Sequence, residues 1–143
     1  MTALVDFDFP QHNDLLRRGA AAEPSGARIR ELRTQLGEDL CQVVLQAARL
    51  QPKAREKFGD GIWWCTERAL QQATPRPVAE LKASFCGGAD QLDLCSGIGG
   101  DAIAMALRLR KDDELTVVDR DPLMIAMARA NLDQTAPRGA VWS

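Results

Sequence analysis

The sequence predicts an α/β protein, in which an N-terminal helical segment is followed by the first strand–helix–strand–helix of a parallel sheet. Three observations predict it. Apolar residues recur at three- and four-residue spacings between residues 29 and 47, the pattern of one helix face. A glycine cluster in "QLDLCSGIGGDAIAMALRLR" separates a short apolar strand from a helical stretch. A second strand, "ELTVVD", then leads into a second helix, "DPLMIAMARANL". The organisation expected is an N-terminal segment and linker over 1–26, a helical region over 27–90, and the start of the sheet domain over 91–143.

Composition sets the frame for these elements. At 143 residues the chain suits one domain, and 45% hydrophobic with 27% charged residues is the balance of a globular protein rather than a disordered or membrane one. A formal net charge of −2 lacks the basic excess of a dedicated nucleic-acid binder. Cys41, Cys65, Cys86 and Cys95 form no C-x-x-C pair, and His12 is the only histidine, so no metal site is expected. The N-terminal twenty residues hold acids and a proline where a signal peptide needs an apolar core. With no apolar run long enough to span a bilayer, the expectation is a cytoplasmic protein with reduced cysteines and no membrane partner.

The stretch "RRGAAAEPSGAR" (17–28) reads as a loop or hinge. In the helical run after it, Ile29, Leu32, Leu36, Leu40, Val43, Val44 and Ala47 share a face, and Gly37 is expected to divide the run into two helices. Pro52 is read as the first turn of a separate short helix that Gly59 ends. Basic residues here are interleaved with Glu31, Glu38, Asp39 and Glu56, which makes a solvated face rather than an RNA site. Thr66 is expected to cap one short helix; Thr74 is expected to cap another that starts at Pro75 and ends near Gly87 and Gly88. Trp63 and Trp64 point to opposite sides of an extended segment, one in the core and one half-buried at a packing edge.

The glycine turn carries the functional reading. Gly97, Gly99 and Gly100 lie between a strand end and a helix start, where a backbone without Cβ atoms can approach a nucleotide-type ligand. Asp119 follows Gly100 by 19 residues and closes the second strand, the place from which an acid reaches ribose hydroxyls. "GIGGDA" also satisfies the dinucleotide pattern G-x-G-x-x-G/A, which keeps an NAD(P)-binding oxidoreductase as an alternative. Asp93, ending the first strand, tips the balance: it would repel a pyrophosphate but favour the amine and sulfonium of S-adenosylmethionine (SAM).

"DLCSGIGGDAIAMA" followed by "VVDRDPLMIAMARAN" resembles the first two motifs of the class I SAM-dependent methyltransferases, with Cys95 in place of the first motif glycine. The variant is similar to the trimethylguanosine synthase-like RNA methyltransferases and to their bacterial relatives with a THUMP-like domain. "QATPRPVAELKA" resembles the Thr-Pro segment ahead of the motif in that group, so the likeness covers roughly 60–134. The resemblance implies a Rossmann-like sheet and the cofactor SAM. It places Asp93 on the methionine amino group, Cys95, Gly97, Gly99 and Gly100 around the methionine part, and Asp119 on the ribose. Arg120 stands where the family commonly carries an apolar residue against adenine, so its stem or guanidinium would stack there. Asp101 is read as a first-turn acid of the helix and Asp121 as a cap.

The family also carries a later (D/N)-P-P motif that positions the target nitrogen, and no such tripeptide occurs here. The resemblance therefore implies an N-terminal fragment of an RNA N-methyltransferase. Its third strand would begin about where the chain stops, and its RNA contacts would lie in a C-terminal part. By itself the chain is expected to bind SAM weakly or not at all, without turnover. A DNA cytosine-5 methyltransferase would need a Pro-Cys pair, which is absent. A non-catalytic interaction module is the remaining alternative.

Overall fold

Ser25 opens the helical region: its hydroxyl accepts the N–H of Arg28 at 3.3 Å and caps a helix over Gly26–Leu36. The computed structural model describes residues 7–20, 25–87, 89–135 and 140–142. Residues 21–24 of the predicted hinge, Gly88 and Ser143 lie outside them. Its helices are α1 (Asn13–Ala20), preceded by a 3-10 turn at Pro10–His12, α2 (Gly26–Leu36), α3 (Glu38–Phe58), α4 (Glu67–Gln72), α5 (Arg76–Ser84), α6 (Gly100–Ala106) and α7 (Pro122–Thr135). The strands are β1 (Gln91–Leu94), β2 (Leu115–Val118) and β3 (Ala140–Trp142).

Gly37 separates α2 from α3 as its sequence context predicts, with φ at +79° and its N–H on the Arg33 carbonyl at 2.9 Å. The short helix predicted to start at Pro52 does not exist separately, because Pro52 lies inside α3. A proline costs an interior helix about 3 kcal/mol. Here Leu50, Gln51, Ala54 and Phe58 are buried on both sides of it, and this packing outweighs the lost backbone bond. Gly59, at φ +93°, ends the helix. Exposed pairs such as Arg28–Glu31 and Arg33–Glu38 make the basic residues of α2 a solvated face.

The segment Ile62–Cys65 is extended and buried throughout. Trp63 lies against Phe58, with ring centroids 5.0 Å apart, whereas Trp64 meets Phe9 at 4.8 Å and Phe7 at 6.1 Å. Neither tryptophan is at an edge, contrary to the expectation for one of them. The N-terminal segment supplies the missing cover, since Phe9 and Leu16 join Val44, Leu50, Trp63, Trp64, Ile98 and Met127 in one core.

Thr66 caps α4, accepting the Ala69 N–H at 3.2 Å. Thr74 does not cap α5: its hydroxyl is drawn away to Asp101, and the helix starts one residue later than predicted, without a side-chain cap. The helix also stops at Ser84, three residues short of Gly87.

The sheet is parallel in the order β1-β2-β3, with Asp93 opposite Val117 and Val117 opposite Trp142. The third strand, expected to begin about where the chain stops, is therefore already paired at Ala140–Trp142. The β-branched and aromatic residues there suit a strand. Leu115 and Val117 of the middle strand are fully buried with Ala102, Ala106 and Leu132. Leu92 and Leu94 of β1 are exposed. Helix α6 ends at Ala106, earlier than the predicted run through Arg110, so Arg108, Arg110 and Lys111 do not form its last turn. Asp113 redirects the chain there: its carboxylate accepts the Arg110 N–H at 3.2 Å and its own N–H reaches the Arg110 carbonyl at 3.2 Å, a local turn that competes with the helix.

Candidate functional site

The turn after β1 is forced into a tight left-handed path. Cys95, Gly97 and Gly99 have φ of +63°, +55° and +89°. Such a value is routine for glycine but uncommon for cysteine, which marks Cys95 as a held, strained position. Backbone bonds hold the turn, from Ser96 N–H to the Val118 carbonyl at 3.1 Å and from Gly99 N–H to the Ser96 carbonyl at 3.0 Å.

Each of the three glycines has a separate reason to lack a Cβ. A Cβ on Gly97 would meet nothing within 4 Å, so this glycine faces open space. One on Gly99 would lie 3.3 Å from the Ala128 Cβ, so this buried glycine lets α6 close on α7. One on Gly100 would lie 3.0 Å from the Thr74 carbonyl, where the segment before α5 crosses the turn.

The acid closing β2 clamps this turn. Asp119 accepts the Gly97 N–H on Oδ2 at 2.8 Å and the Asp121 N–H on Oδ1 at 2.9 Å. A carboxylate has about four acceptor positions, so each oxygen keeps capacity for a further donor. Asp121 in turn accepts the Leu123 N–H at 2.9 Å and caps α7.

A cleft of about 610 Å³ opens beyond the carboxyl ends of β1 and β2. Its walls come from residues 66–74, from the glycine turn and from residues 119–124. This is within the several-hundred Å³ of small-molecule sites, and it sits where parallel sheets bind ligands. Of the residues singled out in the sequence, Cys95, Gly97, Gly100, Asp119 and Arg120 line the cleft, together with Asp101. Asp93 and Gly99 are not among its lining residues.

Asp93 lies behind the turn with its Oδ2 buried and without a hydrogen-bond partner. Burial pushes its carboxyl up to about 6; the Asp101 carboxylate adds to the rise, while Lys82 and the Ala102 amide oppose it. Ser96 Oγ and Asp101 Oδ1 are likewise buried without partners. Asp101 Oδ2 accepts the Thr74 hydroxyl at 2.9 Å and pairs with Lys82. Among the described residues no group of three or more His, Cys, Asp or Glu side chains is placed to hold a metal ion, and no helix is long and apolar enough to cross a membrane.

Sequence reasoning missed the two buried amides that position this cleft. Gln51 brackets Trp63, accepting its N–H at 3.0 Å and donating to its carbonyl at 2.7 Å. Asn131 does the same for Trp64 and also donates to the Ile98 carbonyl at 3.0 Å, tying the segment before the cleft to the glycine turn. The available signal was a polar residue on the apolar side of each helix. Lys82 gave no sequence signal, because its partner lies 19 residues away on another helix.

No protein-family model matches this chain, and no curated protein matches it. Among solved structures it is similar to a candidate methyltransferase from Porphyromonas gingivalis W83, with a TM-score of 0.66 and 19% identity over 96% of this chain. The chain spans about a third of that protein's length, 35%. The two share a fold over nearly all of this chain.

Proposed function

We propose that this chain is the cofactor-binding part of a SAM-dependent methyltransferase. The observation that carries this reading is the clamp of Asp119 on the Gly97 amide, which holds a Cβ-free stretch of backbone open to a cleft at the ends of two parallel strands. The residues present fit the cofactor: Asp101, which lines the cleft and keeps a buried Oδ1 without a partner, suits a cationic ligand, and the free acceptor positions of Asp119 suit vicinal hydroxyls. The methyltransferase-like fold of the solved neighbour supports the same reading.

When bound, SAM supplies an electrophilic methyl group on a sulfonium. Gly97 would leave room for the ligand, Asp119 would accept from its ribose hydroxyls, and the stem or guanidinium of Arg120 would stack on its adenine. Asp93 and Asp101 place negative charge behind the turn. Methyl transfer to an amine needs in-line placement more than a strong base, so positioning is the protein's main task.

The finer reading is RNA N-methylation in the cytoplasm, by a protein similar to the trimethylguanosine synthase-like group. It rests on the sequence motifs. The groups that would position the target nitrogen are not among the motifs of this chain, so the cleft is expected to bind SAM weakly and to give no turnover by itself. Titration with SAM and with NADH, followed by amide shifts of the glycine turn, tests the cofactor. Incubation with RNA and methyl-labelled SAM tests the lack of turnover.

A further inference from the structure

Three carboxylates converge on the glycine turn from different elements: Asp93 from the end of β1, Asp101 from the first turn of α6 and Asp119 from beyond β2. Like charges this close in a partly dry site disfavour one another's ionisation. The countercharge comes from α5. Lys82 reaches across to Asp101 Oδ2, which the Thr74 hydroxyl also holds at 2.9 Å. Asp101 is only 22% exposed, so the pair is shielded on one side although the lysine is 56% exposed. Behind it, Asp101 Oδ1 and Asp93 Oδ2 make no hydrogen bond, and for the Asp93 carboxyl the Ala102 amide is the backbone donor that favours its charge.

We propose that Lys82 is a positioning residue of the cofactor cleft: held on Asp101, its ammonium balances the carboxylates around the glycine turn, so that Asp93 keeps its negative charge behind a site built for a cationic ligand. This rests on the SAM reading above for the identity of the ligand, but the charge balance itself does not. The charged groups that bear on Asp93 are Lys82 from α5, Asp101 from α6 and Asp119 from the β2 end. Burial raises the Asp93 carboxyl to about 6, close enough to neutrality for the loss of one cation to matter. Lys82 also joins α5 to α6, beside the packing of Ala79 and Ala83 on Ala104.

The test is a carbon-detected NMR titration of the Asp93 carboxyl in the 143-residue chain, for the wild type, Lys82→Met and Lys82→Arg. Lys82→Met keeps the stem and removes the charge. Asp93 should then titrate higher by about one pH unit, and Lys82→Arg should restore the wild-type midpoint. SAM-induced shifts in Lys82→Met should be weaker at pH 6.5 than in the wild type and recover toward pH 8.5, where Asp93 ionises regardless. An unchanged Asp93 midpoint in Lys82→Met overturns the proposal, as does a raised midpoint that Lys82→Arg fails to restore. A wild type that ignores SAM removes the cofactor reading, whereas the ligand-free titration still decides the role of Lys82.

Discussion

Asn131 and Trp64 hold each other through both ends of one carboxamide: the Trp64 N–H donates to Asn131 Oδ1 at 2.8 Å, and Asn131 Nδ2 donates to the Trp64 carbonyl at 2.9 Å. The same Nδ2 serves the Ile98 carbonyl at 3.0 Å. One fully buried side chain on α7 therefore fixes the distance between the extended segment before the cleft and the glycine turn that forms its opposite wall. Gln51 repeats the device on Trp63 from α3.

Asn131→Leu should destabilise the chain by about 3 kcal/mol, since it leaves backbone groups of Trp64 and Ile98 buried without partners. Urea unfolding checks this: the midpoint should fall with the slope unchanged. Removing Gln51 as well should give a combined loss that departs from the sum, because the two amides hold adjacent residues of one strand-like segment.

The glycines should separate stability from binding. Gly99→Ala should be the more destabilising change, by about 2 kcal/mol or more, because strain at positive φ adds to a contact with Ala128. Gly97→Ala should cost about 1 kcal/mol from the backbone alone, yet weaken SAM binding more, since its methyl group would enter the cleft. Thermal melts and ligand titrations on the two variants read the two effects.

Asp119→Ala should weaken SAM binding by about tenfold or more, through loss of the clamp on Gly97 and of the ribose acceptors, a change of about 1.4 kcal/mol or more. Asp119→Asn keeps one acceptor oxygen and should fall between the two. Calorimetry or NMR titration at fixed pH distinguishes them.

Asp93 predicts a pH dependence of stability. Its folded carboxyl titrates at about 6 against an ordinary 3.8, so the folded chain binds the extra proton between those values. This group's contribution therefore falls as pH rises through about 4–6, and above 6 the net cost of the ionised carboxylate, only partly offset by Lys82 and the Ala102 amide, no longer changes with pH. Asp93→Asn should be more stable than the wild type at pH 7.5, by on the order of 1 kcal/mol after solvent screening, and the gain should vanish near pH 4. Urea midpoints at the two pH values check the sign.

Helix and strand periodicity made much of this architecture legible in the sequence. Gly37, Gly59 and Thr66 act where their residue types predict, because a positive φ or a capping oxygen is a local requirement. The failures have a common cause in tertiary contact. Pro52 stays inside a helix because the surrounding face is buried, and Thr74 gives its hydroxyl to Asp101 rather than to its own helix. Trp64 is in the core because Phe7 and Phe9 return to cover it. At the cleft, the glycine turn and Asp119 were readable as a spacing. The Lys82–Asp101 pair and the Asn131 bracket were not, because each joins elements that only the fold brings together.

The most direct test of the cofactor reading is a nitrogen-15 NMR titration of the 143-residue chain with SAM up to several millimolar, with NADH in parallel. The account predicts saturable SAM-induced shifts concentrated on the amides of Gly97, Gly100 and Arg120, and none of that pattern with NADH. No response of those amides to SAM, or the same pattern produced by NADH alone, would contradict it.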